Sequence, residues 1–144
     1  MRRACVSGCC EETGWDDRDR MDKFFLLVIF HIVFVAPLFL FVGFQRAATP
    51  DIVYQLLFGL GILIGLYHGY KAIMRIFVTP SANLWINLIH VLVVAPMLIY
   101  LGWLGKKSER WAYEILLLLG FGVLGYQLYH LVVITQTFVK TPEI

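Results

Sequence analysis

Four long stretches of the chain contain no acidic residue, lysine or arginine, and they restrict the fold more than any other feature of the sequence. They cover residues 24–44, 52–70, 84–104 and 115–139. Each is close to or above the roughly 20 residues with which an α-helix crosses a bilayer. They show no alternation of apolar and polar residues, which a transmembrane barrel strand requires. We therefore predict an all-α membrane protein with four transmembrane helices.

The composition agrees with a bilayer environment. Hydrophobic residues make up 60% of the 144 positions and charged residues only 15%, too few to cover a water-facing surface of ordinary polarity. The net charge of +2 gives no reason to expect a nucleic-acid partner. The predicted partner is the lipid bilayer, and the sequence leaves open whether copies of the chain form a homo-oligomer.

A pattern of identical residues recurs at an offset of 59 positions. The segment from His31 to Pro37 matches the one from His90 to Pro96 at its first residue and its last three. Seven further pairs are identical at this offset: Gly43/Gly102, Tyr54/Tyr113, Leu57/Leu116, Leu60/Leu119, Gly61/Gly120, Tyr67/Tyr126 and Tyr70/Tyr129. Such a fixed period indicates two tandem copies of one two-helix unit. Because two is an even number, both copies enter the membrane from the same side, and a two-fold axis along the membrane normal should relate them.

The predicted boundaries follow the polar residues and prolines between the apolar stretches. Residues 1–23 form a polar leader of mixed charge, which is predicted to be disordered. Repeat 1 covers residues 24–78, with transmembrane helices over 24–44 and 52–76. Repeat 2 covers residues 79–139, with helices over 83–104 and 111–139, and residues 140–144 are a tail.

The distribution of lysine and arginine predicts the orientation. Four crossings place both termini on one side, where eight of these residues lie against four on the other side. This excess favours cytoplasmic termini in a multi-pass protein. The organelle is left open.

Glycines and prolines in the helices have predicted structural roles. Gly61, Gly65 and Gly69 stand at every fourth position, so they form a stripe on which a second helix can pack closely within lipid. Pro37 and Pro96 each remove one backbone hydrogen bond and should bend helices 1 and 3 alike.

One histidine lies in each predicted helix, and at about 1.5 Å per residue all four lie at a similar depth, in the half of the bilayer nearer the termini. They are His31, His68, His90 and His130. Polar atoms left in lipid are costly, so we expect the four imidazoles to converge on the axis of the bundle.

Two interpretations assign this histidine layer a structural role or a ligand-binding role. In the first, the rings form hydrogen bonds between helices and serve structure or assembly without catalysis. In the second they are haem or metal ligands, with His31 and His90 as a symmetric pair on one b-type haem, and His68 and His130 as a less exact pair. Lys71 and Arg75 would then bind the haem propionates.

A third interpretation is a proton or ion path, because histidine titrates near neutrality and ionisable groups inside a membrane mark such routes. For Lys71 and Arg75 the simpler alternative is contact with lipid phosphates, since long basic side chains at helix ends reach the interface. The leading prediction is a non-enzymatic structural or assembly bundle. Haem-based electron transfer and ion conduction are the alternatives.

The repeated motif His-x-x-x-Val-Ala-Pro, followed by Gly-x-Tyr-x-x-Tyr in repeat 1 and Tyr-x-x-Tyr-His in repeat 2, resembles small four-helix membrane proteins of unknown activity encoded by large DNA viruses of algae and protists. The resemblance covers residues 21–139. It implies a viral or host membrane as location and implies no catalytic residues.

Overall fold

The computed structural model of the chain describes the backbone of residues 13–77 and 84–140, and the side chains of residues 22–77 and 84–136. Within these ranges every regular element is helical. Helix α1 covers residues 13–45, α2 covers Asp51–Phe77, α3 covers residues 84–104 and α4 covers Arg110–Lys140. Short 3-10 turns, Arg46–Ala48 and Gly105–Lys107, connect α1 to α2 and α3 to α4.

Each of the four helices contains a segment long and apolar enough to cross a membrane. These segments are Asp22–Ala48, Asp51–Phe77, Leu84–Lys107 and Arg110–Gln136. The predicted all-α class with four potential spans is therefore confirmed. The predicted turn between the two repeats, the first twelve residues of the leader and the tail after residue 140 lie outside the described residues.

Helix α1 begins earlier than the sequence prediction. Its first part, Thr13–Phe30, is helical, so the backbone of residues 13–23 differs from the disorder expected of the whole leader. The physical reason is helical cooperativity: adding a residue to an existing helix forms one hydrogen bond, whereas starting a helix fixes several residues for one bond. No proline stands between residue 13 and the apolar stretch to stop this extension.

A π-helical turn precedes each of the two helix prolines. His31–Val35 in α1 and His90–Val94 in α3 form these turns. In each turn the N–H of the alanine before the proline donates to the carbonyl oxygen of the histidine five residues earlier. Proline lacks an N–H, and its ring collides with the carbonyl four residues before it in a regular α-helix. The wider turn accommodates this clash by including one additional residue.

The chain divides into two compact units, which we call the middle unit, Pro37–Phe121, and the end unit, Met1–Ala36 with Gly122–Ile144. In the middle unit α2 packs along α3, and the last residues of α1 pack against the start of α4. The core there is apolar and includes Phe39, Leu57 and Leu98. The two 3-10 connectors contact each other in the same unit.

Glycines of the middle unit mark its two closest helix contacts. A Cβ built on Gly102 of α3 would lie 2.5 Å from the backbone nitrogen of Phe58 in α2. A Cβ built on Gly43 of α1 would lie 2.5 Å from Cγ of Leu117 in α4. Each residue of the first contact lies 59 positions from one of the second. Equivalent positions of the two repeats therefore form both of these close helix contacts.

In the end unit, aromatic residues join α1 to α4. Phe24 of α1 lies edge to face against His130 of α4, with ring centroids 5.5 Å apart. Val28 and Gln127 are buried in this unit. Large apolar side chains of α1 that are half or more exposed include Leu26 and Phe34.

Candidate functional site

Two of the four histidines meet in the middle unit. The rings of His68 in α2 and His90 in α3 stack nearly parallel, with centroids 4.2 Å apart and an angle of 15° between planes. Nδ1 of His68 donates to Oδ1 of Asn87, one turn before His90, at 2.9 Å. Asn87 is buried, and its Nδ2 makes no hydrogen bond within the described part of the chain. A small polar cluster therefore lies between α2 and α3, inside both candidate spans.

The two histidines of the π-helical turns share one hydrogen-bond geometry. Nδ1 of His31 is 2.8 Å from the carbonyl oxygen of Leu27, and Nδ1 of His90 is 2.7 Å from that of Ile86. A carbonyl oxygen can only accept, so Nδ1 carries the hydrogen in both rings. In a neutral ring Nε2 is then the nitrogen that can accept a hydrogen bond. Both contacts join residues four apart and differ in position by 59.

His130 lies among aromatic rings of the end unit. Its ring centroid is 4.5 Å from that of Tyr126, 5.7 Å from that of Tyr129 and 5.5 Å from that of Phe24, with steep angles between all three pairs of planes. His130 is therefore packed among three aromatic rings of α1 and α4.

The two basic residues near the end of α2 have neighbours within the protein. Nζ of Lys71 lies over the ring of Tyr67, 4.8 Å from its centroid. Arg75 follows one turn later and is half-buried, and it makes a contact of its own. Tyr67 is 53% exposed, so this aromatic–cation pair lies at the surface of the helix.

The four-imidazole layer stays a prediction. His68 and His90 contact each other in the middle unit, whereas His31 and His130 belong to the end unit and have the separate neighbours given above. The haem held by His31 and His90, with Lys71 and Arg75 at its propionates, also stays a prediction. Among the described residues, no three histidine, cysteine or acidic side chains come close enough together to hold a metal ion.

A buried tyrosine pair, which sequence reasoning used only as a marker of the repeat, joins the two connectors. The hydroxyls of Tyr54 and Tyr113 are 2.8 Å apart. Tyr54 donates to the carbonyl oxygen of Arg46 at 2.7 Å, and Tyr113 donates to that of Gly105 at 3.1 Å. Two hydroxyl hydrogens serve three contacts, so one of the two hydrogens is shared between two acceptors. The identity at offset 59 was the signal that could have identified this pair.

The carbonyls that these tyrosines bind belong to residues of unusual backbone conformation. Arg46 has φ of 49° and Gly105 has φ of 56°, both in the left-handed region that L-residues rarely adopt. The two positions are again 59 apart. Each connector therefore reverses the chain at a left-handed residue whose carbonyl a tyrosine from the next helix binds.

No protein-family model, curated protein or solved structure matches the chain. Its function is therefore inferred from its own residues and contacts.

The predicted glycine stripe contacts α3 along part of its length. A Cβ on Gly61 would lie 2.9 Å from both the backbone nitrogen and Cγ1 of Ile99, and one on Gly65 would lie 3.4 Å from Cβ of Ala95. A Cβ on Gly69 would meet no described atom within 4 Å. The α2–α3 contact is thus closest near the connectors and opens toward the end of α2 that carries Lys71.

Proposed function

We propose that this chain is an integral membrane protein whose four helices each cross the bilayer, and that it acts as a structural or assembly component without catalysis. One observation carries the membrane proposal: between 11% and 28% of each hydrophobic window is buried within the protein. Leu66, Leu92 and Leu118 are each about 70% exposed on three different helices. An apolar surface of this extent requires lipid around it. The resemblance to viral proteins adds a viral or host membrane as the proposed location.

We also infer that the chain consists of two tandem hairpins related by a two-fold axis along the membrane normal. The contact of Gly43 with Leu117 and that of Gly102 with Phe58 support this arrangement, because they are one contact formed twice. Further support comes from the hydrogen bond between Tyr54 and Tyr113, which joins two equivalent positions. Equivalent residues contact each other directly when they lie beside a two-fold axis.

The structural role is supported by the use of polar side chains in the spans. The pair formed by His68 and Asn87 and the pair formed by Tyr54 and Tyr113 each connect two helices. Interhelical hydrogen bonds in membranes contribute about 0.6 kcal/mol each on average. Their function would then be to hold the helices in register.

Membrane integration is tested by alkaline carbonate extraction of membranes that contain the full chain. We expect the protein to stay in the membrane pellet and to be released by detergent. Leu118→Arg should reduce the integrated fraction, because a basic residue that faces lipid within a span is costly, roughly 3 kcal/mol at the centre of the bilayer. Ser108→Arg, in the connector before α4, is the matched control and should have no effect. Release by carbonate alone, or equal integration of both variants, would contradict the proposal.

Proton conduction is a second candidate, favoured by the stacked rings of His68 and His90 inside two candidate spans. Histidine side chains exchange protons near neutral pH. Liposomes that contain the purified chain should show a proton flux that rises as the pH falls through about 6, and His68→Gln should abolish it. Gln127 occupies the equivalent position of repeat 2, so glutamine is a residue that this fold accepts there. A flux equal to that of empty liposomes would remove this candidate.

A further inference from the structure

We propose that the chain binds the phosphate of anionic lipids at two equivalent aromatic–cation pairs, Tyr67–Lys71 in repeat 1 and Tyr126–His130 in repeat 2. This proposal depends on the proposed function, because it requires α2 and α4 to cross a bilayer. It names the class of lipid headgroup that the protein selects.

The two pairs occupy the same position of the repeat. Lys71 and His130 are 59 residues apart, and each follows its tyrosine by four residues, or about one helical turn. Nζ of Lys71 lies 4.8 Å from the centroid of Tyr67, and the ring of His130 lies 4.5 Å from that of Tyr126. The packing of a basic side chain on the tyrosine four residues earlier therefore occurs in both repeats.

The depth of the pairs fits the headgroup region. The uncharged stretch of α2 covers residues 52–70, which at about 1.5 Å per residue spans roughly 28 Å, close to the thickness of the hydrocarbon core. Lys71 follows directly at its boundary, and His130 holds the equivalent position of α4 under the offset of 59. The uncharged stretch of α4 continues to residue 139, so the proposal places the boundary on α4 by the repeat, at residue 129. Lipid phosphates just outside that boundary would lie within reach of both side chains.

The neighbouring tyrosines add to this interface. Tyr70 and Tyr129, at equivalent positions, are each 65% exposed, and tyrosine is enriched where hydrocarbon meets headgroups. Their hydroxyls provide hydrogen-bond donors beside the basic groups. A phosphate at either pair would thus meet one basic group and at least one hydroxyl.

The pairs differ in their permanent charge. Lysine carries its charge at neutral pH, whereas histidine carries one only in its protonated form. The phosphate therefore binds more strongly at Tyr67–Lys71 than at Tyr126–His130. His130→Lys should convert the second pair into a copy of the first.

Native mass spectrometry of the full chain released from nanodiscs of mixed phosphatidylglycerol and phosphatidylcholine tests the proposal. We expect Lys71→Gln to lower the ratio of retained phosphatidylglycerol to phosphatidylcholine about fivefold, and His130→Lys to raise it by a similar factor. Lys71→Arg should retain the wild-type ratio, which separates the loss of charge from a loss of folding. Lys107→Gln, in the connector at the other ends of the helices, is the matched control and should leave the ratio unchanged.

Three results would overturn the proposal. If Lys71→Gln and Lys107→Gln gave the same ratio while the protein stayed carbonate-resistant, the lipid site would be wrong and the membrane assignment would stand. If carbonate released the protein, both proposals would fail together. If inorganic phosphate at millimolar concentration displaced the bound phosphatidylglycerol from wild-type protein, the pairs would be sites for soluble phosphate instead of a lipid headgroup.

Discussion

The tyrosine pair at the connectors depends on two hydroxyl hydrogens shared among three contacts. Tyr54 donates to the carbonyl of Arg46 and Tyr113 to that of Gly105, and one of these two hydrogens is shared with the other hydroxyl. Loss of a buried hydrogen-bond partner leaves the remaining group without solvent and without a replacement. The pair therefore couples two hairpins through only a few atoms.

We expect Tyr54→Phe to lower the free energy of unfolding by about 1 kcal/mol, because the carbonyl of Arg46 loses its side-chain donor and keeps only the N–H of Thr49. Tyr113→Phe should cost less, since both the N–H and the hydroxyl of Ser108 still donate to the carbonyl of Gly105. The double variant should be less destabilised than the sum of both, because the two residues share one contact. Unfolding in detergent micelles measures all three. Tyr100→Phe, whose hydroxyl makes no hydrogen bond within the described residues, is the control, and additive effects would contradict the coupling.

Gln127 is buried, and its Oε1 has no hydrogen-bond partner within the described residues. Gln127→Leu should stabilise the protein by about 1 kcal/mol, because an unsatisfied polar group is replaced by an apolar one. His68→Leu, at the equivalent position of repeat 1, should destabilise it, because Asn87 loses its partner. Thermal unfolding of both variants in the same detergent measures the two signs. Equal shifts would show that the hydrogen bond to Asn87 has no effect on stability.

At the scale of the helices, charged residues and prolines between the apolar stretches made the number of spans predictable. The contacts between helices were not predictable in the same way. Helical periodicity predicts the angle between Gly61 and His68 around the axis of α2. It does not predict the register in which α3 packs on α2, and this register determines that His68 contacts His90. The π-helical turns were also missed, because Pro37 and Pro96 indicate a lost hydrogen bond without indicating how the helix accommodates it.

The closest contact between α2 and α3 gives a prediction for glycine substitutions. Gly102→Ala places a methyl group against the backbone of Phe58, which cannot move without the whole helix. It should destabilise the protein by about 1–3 kcal/mol. Gly59→Ala in α2, where a Cβ meets no described atom within 4 Å, should stabilise it by up to about 1 kcal/mol through helix propensity. Chemical unfolding in micelles measures both, and destabilisation by both would show that Gly59 also packs closely.

At the scale of the whole molecule, the predicted orientation, with four spans and cytoplasmic termini, would place both connectors on the opposite side of the membrane. In a background with Cys5, Cys9 and Cys10 replaced by serine, we expect Ser108→Cys in intact cells to react with a membrane-impermeant maleimide. Asp22→Cys, at the first residue of the first span, should react only after the membrane is permeabilised. The reverse pattern would show that the eight-to-four excess of basic residues does not set the orientation.

The repeated contact of a glycine on one helix with the helix of the other hairpin has a consequence for the origin of the chain. On the proposed two-fold arrangement, residues 24–78 alone would present Gly43, Phe58 and Tyr54 to a second copy of themselves, in the positions that Gly102, Leu117 and Tyr113 now fill. A half-length ancestor could thus have assembled as a symmetric pair of separate hairpins. Fusion of two genes would then have freed each half to change independently. Lysine at position 71, where repeat 2 has histidine at position 130, is a difference that only the fused form permits.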